Sequence, residues 1–149
     1  MLHTILLFLH LVGAIIWVGG MFFAYFCLRP ASGQVLEPPQ RLPLWVATFR
    51  LFLRYAAISV IVLIGSGLGM LLPVGISAAP HGWLVMMVIG LTMASLFAYL
   101  YGILYPELVH NTLASSWPAA AKVLNGIRRL VALNLALSIL VIVSAVTAR

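Results

Sequence analysis

Acid is what this chain has least of. Its 149 residues include two carboxylates, Glu37 and Glu107, and no aspartate. Paired-carboxylate catalysis and any Asp-dependent triad are thereby excluded. One cysteine, Cys27, rules out an intramolecular disulfide and a cysteine-based metal cluster. Its place near the end of the first apolar run reads as a buried, inert thiol. Charge of either sign is scarce: 7% of residues are charged, against roughly a quarter in a soluble domain. No water-facing surface can be built from so few charges. No phosphate-binding glycine loop follows a strand, and no buried acid or lysine supports proton-coupled transport.

Apolar sequence fills the space instead. The chain is 64% hydrophobic, with a mean hydropathy of +1.20. Four runs reach the ~20 residues that a membrane-spanning helix needs: about 2–28, 55–72, 83–105 and 130–148. Backbone groups in hydrocarbon must pair within their own segment. The expected fold is therefore all-α, one four-helix transmembrane bundle over 1–149. Pro118 suits a first helical turn, so the fourth helix is allowed to begin near 118. The segment "RPASGQVLEPPQRLPLWVATFR" reads as a loop, ending in an interfacial helix with Trp45 in the aromatic belt.

The basic residues set the expected topology. Seven of the eight fall between helices one and two or three and four: Arg29, Arg41, Arg50, Arg54, Lys122, Arg128 and Arg129. The positive-inside rule makes that side cytoplasmic and places both termini outside. The localisation expected is a bacterial inner membrane, with periplasmic termini. The first helix lacks the basic n-region of a signal peptide and is read as uncleaved. The net charge of +6 brackets the helices, so it signals topology and not nucleic acid. The expected surroundings are lipid, and Gly65 and Gly69 in "GSGLG" suit close helix packing, either within the four-helix core or at a homodimer contact.

Two histidines interrupt the first run. His3 and His10 are seven residues apart, on one helix face with Trp17. The adjoining line carries Gly13 and Gly20. At a ~1.5 Å rise per residue, His10 lies roughly 10 Å deeper than His3. His3 is explicable at the interface, whereas His10 needs a partner, since an unsatisfied imidazole at that depth is costly. Hydrogen bonds to Thr92, Ser95, Asn134 or Ser138 are one answer. A flat cofactor lying over Gly13 and Gly20, with Trp17 beside it, is another. Heme b fits that description, with His10 as one axial ligand and His81 or His3 as the second. Helix three adds a polar line of His81, Thr92, Ser95, Tyr99 and Gly102. Met86, Met87 and Met93 lie on the same helix, and thioether with imidazole suits Cu(I). His3, His81 and the Met1 amine offer an external copper site.

The segment "LHLVGAIIWVGGMFFAYFCLRP" resembles the opening helix of the copper-resistance protein D family. His10, Trp17, Gly19, Gly20, Phe22 and Arg29-Pro30 carry the likeness, and "IGLTMASLFAYLY" in helix three adds to it. More distantly the chain is similar to HemJ-type protoporphyrinogen oxidases, four-helix proteins that bind heme b. By that resemblance His10 takes the place of an axial histidine. The sequence thus yields three functions in order: a b-type heme protein for electron transfer or redox sensing, a copper-binding or copper-import protein, and a structural membrane subunit. The redox partner is not specified.

Overall fold

The computed structural model describes residues 1–147 and consists of four long helices joined by short connections. They are α1 (Leu2–Val35), α2 (Pro38–Leu71), α3 (His81–Leu113) and α4 (Trp117–Thr147). Each is long and apolar enough to cross a membrane, and no strand occurs among the described residues. α1 packs chiefly on α2, and α3 on α4. The α1–α2 pair is antiparallel, since Leu6 meets Gly69, His10 meets Gly67 and Gly13 meets Leu63.

The helices run past the apolar spans that the sequence marks out. Each has 31 to 34 residues, about 50 Å at the helical rise, against ~30 Å of hydrocarbon. The excess is at one end, the arginine-bearing one. The expected loop there is a correction: α1 continues helically to Val35, and α2 begins at Pro38. Only Leu36 and Glu37 interrupt. Pro38 sits in the first turn of α2, where the missing N–H is an orphan anyway, while Pro30 lies inside α1 just after a widened stretch. Trp45 is corrected too. It is buried in the core, 2% exposed, not spread along an interface.

Prolines also explain a local widening. α1 contains a π-helical stretch over Phe23–Leu28, and α3 one over Leu100–Leu104. Each ends one residue before an X-Pro pair, Arg29-Pro30 and Tyr105-Pro106. The N–H of Arg29 reaches back to the Ala24 carbonyl, and that of Tyr105 to Leu100. A proline ring would clash with the carbonyl four residues earlier, and the wider turn relieves it. Cys27 lies in the first of these stretches and is exposed, against the expected burial.

The core follows the solvent. The largest fully buried side chains are Trp45, Leu42, Leu108, Leu124 and Ile127, all toward the arginine-bearing end. Water reaches that extension, so apolar burial is driven there as in a soluble bundle. Further along, within the apolar spans, the buried set includes Ser59, Ser66, Asn134 and Ser138. Small and polar residues tie helices together where lipid removes the hydrophobic drive. Asn134 Nδ2 donates to the Met93 carbonyl at 3.4 Å, linking α4 to α3. At the far end the α2–α3 connection turns through Gly75, whose φ of 80° favours glycine.

Candidate metal-handling site around His10

His10 finds its partner on α2. Its ring nitrogen Nδ1 lies 2.9 Å from Ser66 Oγ, and Ser66 is 5% exposed. The partners expected for it, Thr92, Ser95, Asn134 and Ser138, are not the ones used. Thr92 and Ser95 are exposed and donate to carbonyls of their own helix, Val88 and Leu91. Ser138 donates to Leu135. Thus the polar line of α3 faces away from the bundle interior.

The proton count at Ser66 bears on the tautomer. A serine hydroxyl has one proton to give. Ser66 Oγ lies 2.6 Å from the Val62 carbonyl, one turn back on its own helix, and 3.3 Å from that of Leu63. With the proton committed to Val62, the oxygen is left as an acceptor toward the ring. Nδ1–H of His10 then donates to Ser66, and the lone pair of the neutral imidazole sits on Nε2; with the serine proton turned to the ring, the roles reverse. A ligating histidine has the first arrangement: one nitrogen tethered by a donated hydrogen bond, the other free to bind.

The approach of the two helices explains the tether. Gly67 lies against the ring, and a Cβ there would stand 3.4 Å from His10 Cε1. That is ordinary van der Waals contact with the ring. One turn away, Leu6 seats on Gly69 in the same manner. Gly65, the other half of the expected dimer face, has nothing within 4 Å.

The remaining expected site residues lie as follows. Gly13 is buried, and a Cβ there would meet Leu63 Cγ at 3.2 Å and the Ser59 carbonyl at 3.3 Å. The ring of Phe52 covers Gly20 where a Cβ would stand. Side chains and backbone of α2 therefore lie over these glycines, where the sequence suggested an open groove. Trp17 is buried and meets Phe97 edge to face at 5.9 Å, an α1–α3 contact. His3 and His81 are both exposed at the end of the bundle nearer His10. No cluster of three or more His, Cys, Asp or Glu side chains occurs among the described residues.

Residues 46–148, more than half of the chain, match the family described as copper resistance protein D. The chain belongs to that family. The matched segment holds Ser66, His81 and "IGLTMASLFAYLY", and it begins after the first-helix motif that contains His10. No curated protein and no solved structure matches the chain. The more distant likeness to HemJ-type oxidases has no support in these matches.

The sequence singled out His10 but not Ser66. The signal was present, because Ser66 stands between Gly65 and Gly67 on the helix packed closest to α1. A hydroxyl flanked by glycines is a polar group that a neighbouring helix can reach.

Proposed function

We propose that this member of the copper resistance protein D family binds Cu(I) within the membrane and passes it through the bundle, with His10 as the intramembrane ligand. The observation that supports the reading is the 2.9 Å contact of His10 Nδ1 with Ser66 Oγ, which in the Nδ1–H tautomer leaves the Nε2 lone pair for a metal. Family membership supports copper as the cargo. The donor chemistry supports the cuprous state: without a cluster of hard or anionic ligands, imidazole with thioether suits Cu(I). Met70 is four residues from Ser66 and three from Gly67, so it occupies the same face of α2 one turn on. His10 and Met70 form the proposed ligand pair. His3, His81 and the Met1 amine are the proposed first contacts for copper at the outer surface.

Topology is part of the same proposal. Seven basic residues at one end point to the cytoplasm, so the His10 end faces the outside of a bacterial inner membrane. Copper then enters the bundle from the periplasmic side.

The test is Cu(I) binding by the detergent-purified protein under reducing conditions, in competition with a chromogenic chelator. Wild type is expected to bind one intramembrane equivalent that His10→Gln loses. His3→Gln and His81→Gln are expected to retain it. Equal binding by wild type and His10→Gln overturns the reading.

A further inference from the structure

Away from His10, at the opposite end of the bundle, three arginines from three helices converge. Arg29 of α1, Arg41 of α2 and Arg128 of α4 line one open cavity of about 450 Å³, walled also by Tyr25 and Phe26. That volume falls within the ~300–1,000 Å³ of small-molecule sites. Neither carboxylate of the chain, Glu37 or Glu107, lines it. Aromatic faces hold two of the guanidinium groups. Arg29 lies 5.0 Å from the Tyr25 ring centre and Arg128 lies 6.0 Å from that of Trp45. Arg128 also donates from Nη1 to Asn125 at 2.9 Å.

The unsatisfied groups of the molecule gather here. Among the described residues, four buried side-chain polar atoms lack a hydrogen-bond partner: Arg41 Nε, Arg128 Nε, Trp45 Nε1 and Asn134 Oδ1. The first three belong to this region, and all three are donors. Trp45 lines a narrow cleft that shares Tyr25, Arg29 and Arg128 with the larger cavity. Buried donors without acceptors are costly, and three like charges facing one space add repulsion. An acceptor-rich anion relieves both. Guanidinium forks match the oxygens of a phosphate, and basic pockets between membrane helices suit lipid headgroups.

The neighbouring surface indicates which phosphate. Phe26 lines the cavity, and Phe22, Phe23 and Phe26 are exposed on α1, with the Phe22 and Phe26 rings in tilted contact at 5.0 Å. This apolar strip leads from the arginines along the membrane-spanning part of α1, the course an acyl chain would take. We infer that Arg29, Arg41 and Arg128 bind the phosphate of an anionic phospholipid, whose acyl chains lie along Phe22 and Phe26. The lipid then clips α1, α2 and α4 together at the end of the bundle away from His10.

Thermal unfolding in a neutral detergent tests this with three additives: dioleoyl-phosphatidylglycerol, dioleoyl-phosphatidylcholine and inorganic phosphate. At ~100-fold excess over its dissociation constant, phosphatidylglycerol is expected to raise Tm by about 5–10 °C, with phosphatidylcholine giving little. Arg41→Gln/Arg128→Gln is expected to lose the shift, and the exposed pair Arg50→Gln/Arg54→Gln to keep it. Equal shifts from the two lipids, or a shift that survives in Arg41→Gln/Arg128→Gln, overturn the site. Inorganic phosphate matching phosphatidylglycerol overturns the lipid source and assigns a free phosphate to the same arginines. If the double variant does not fold, native mass spectrometry of Arg29→Gln decides. Loss of retained phosphatidylglycerol supports the site, and wild-type retention overturns it.

Discussion

Replacing Ser66 by alanine removes the acceptor that holds His10 and leaves the rest of the ring's surroundings in place. The hydrogen bond is 2.9 Å long and lies inside the membrane-spanning part of the bundle. Polar contacts between membrane helices average ~0.6 kcal/mol and reach ~1.7 kcal/mol, while stranding a buried donor costs ~1–3 kcal/mol. A loss of about 1 kcal/mol is expected. A double-mutant cycle with His10→Ala should return a coupling of the same size. The functional effect is larger. Once untethered, Nδ1–H no longer fixes the lone pair on Nε2, and loss of such an outer partner typically lowers metal affinity ~10–100-fold. Ser138→Ala is the control: Ser138 is equally buried but bonds only within α4, so Cu(I) affinity should not change. Chelator competition on the two variants reads the difference. Unchanged Cu(I) affinity in Ser66→Ala, with no coupling to His10, refutes the tether.

Other consequences follow from the same packing. Gly20→Ala puts a Cβ where the Phe52 ring lies and should cost ~1–3 kcal/mol in denaturant titration of the detergent-solubilised protein. Gly19→Ala, with nothing within 4 Å, should be neutral. Trp17→Ala removes a buried ring and its edge-to-face contact with Phe97, and should cost ~3 kcal/mol in the same titration. The 15N shifts of labelled histidine should report His10 as the Nδ1–H tautomer, and an Nε2–H spectrum would contradict the proton count at Ser66.

Hydropathy carried the class of fold because lipid imposes it: four apolar runs must be four helices. It did not carry their lengths. Arg29–Val35 and Pro38–Arg54 are too polar to be read as membrane spans, yet they are helical: a widened turn admits Pro30, Pro38 opens α2, and a core around Leu42, Trp45 and Phe49 packs them. Depth and helical face were enough to mark His10 as needing a partner. Its partner was not legible, because the choice of Ser66 over Asn134 depends on which helices touch. The glycines beside His10 were readable as close approach, but not as approach by another helix. That distinction turns an expected ligand groove into a filled seam.

X-ray absorption at the copper edge of the Cu(I)-loaded protein tests the central claim most directly. The wild-type spectrum is predicted to contain an imidazole nitrogen together with a thioether sulfur, and His10→Gln is predicted to lose the imidazole contribution. A spectrum unaltered by His10→Gln would contradict the account.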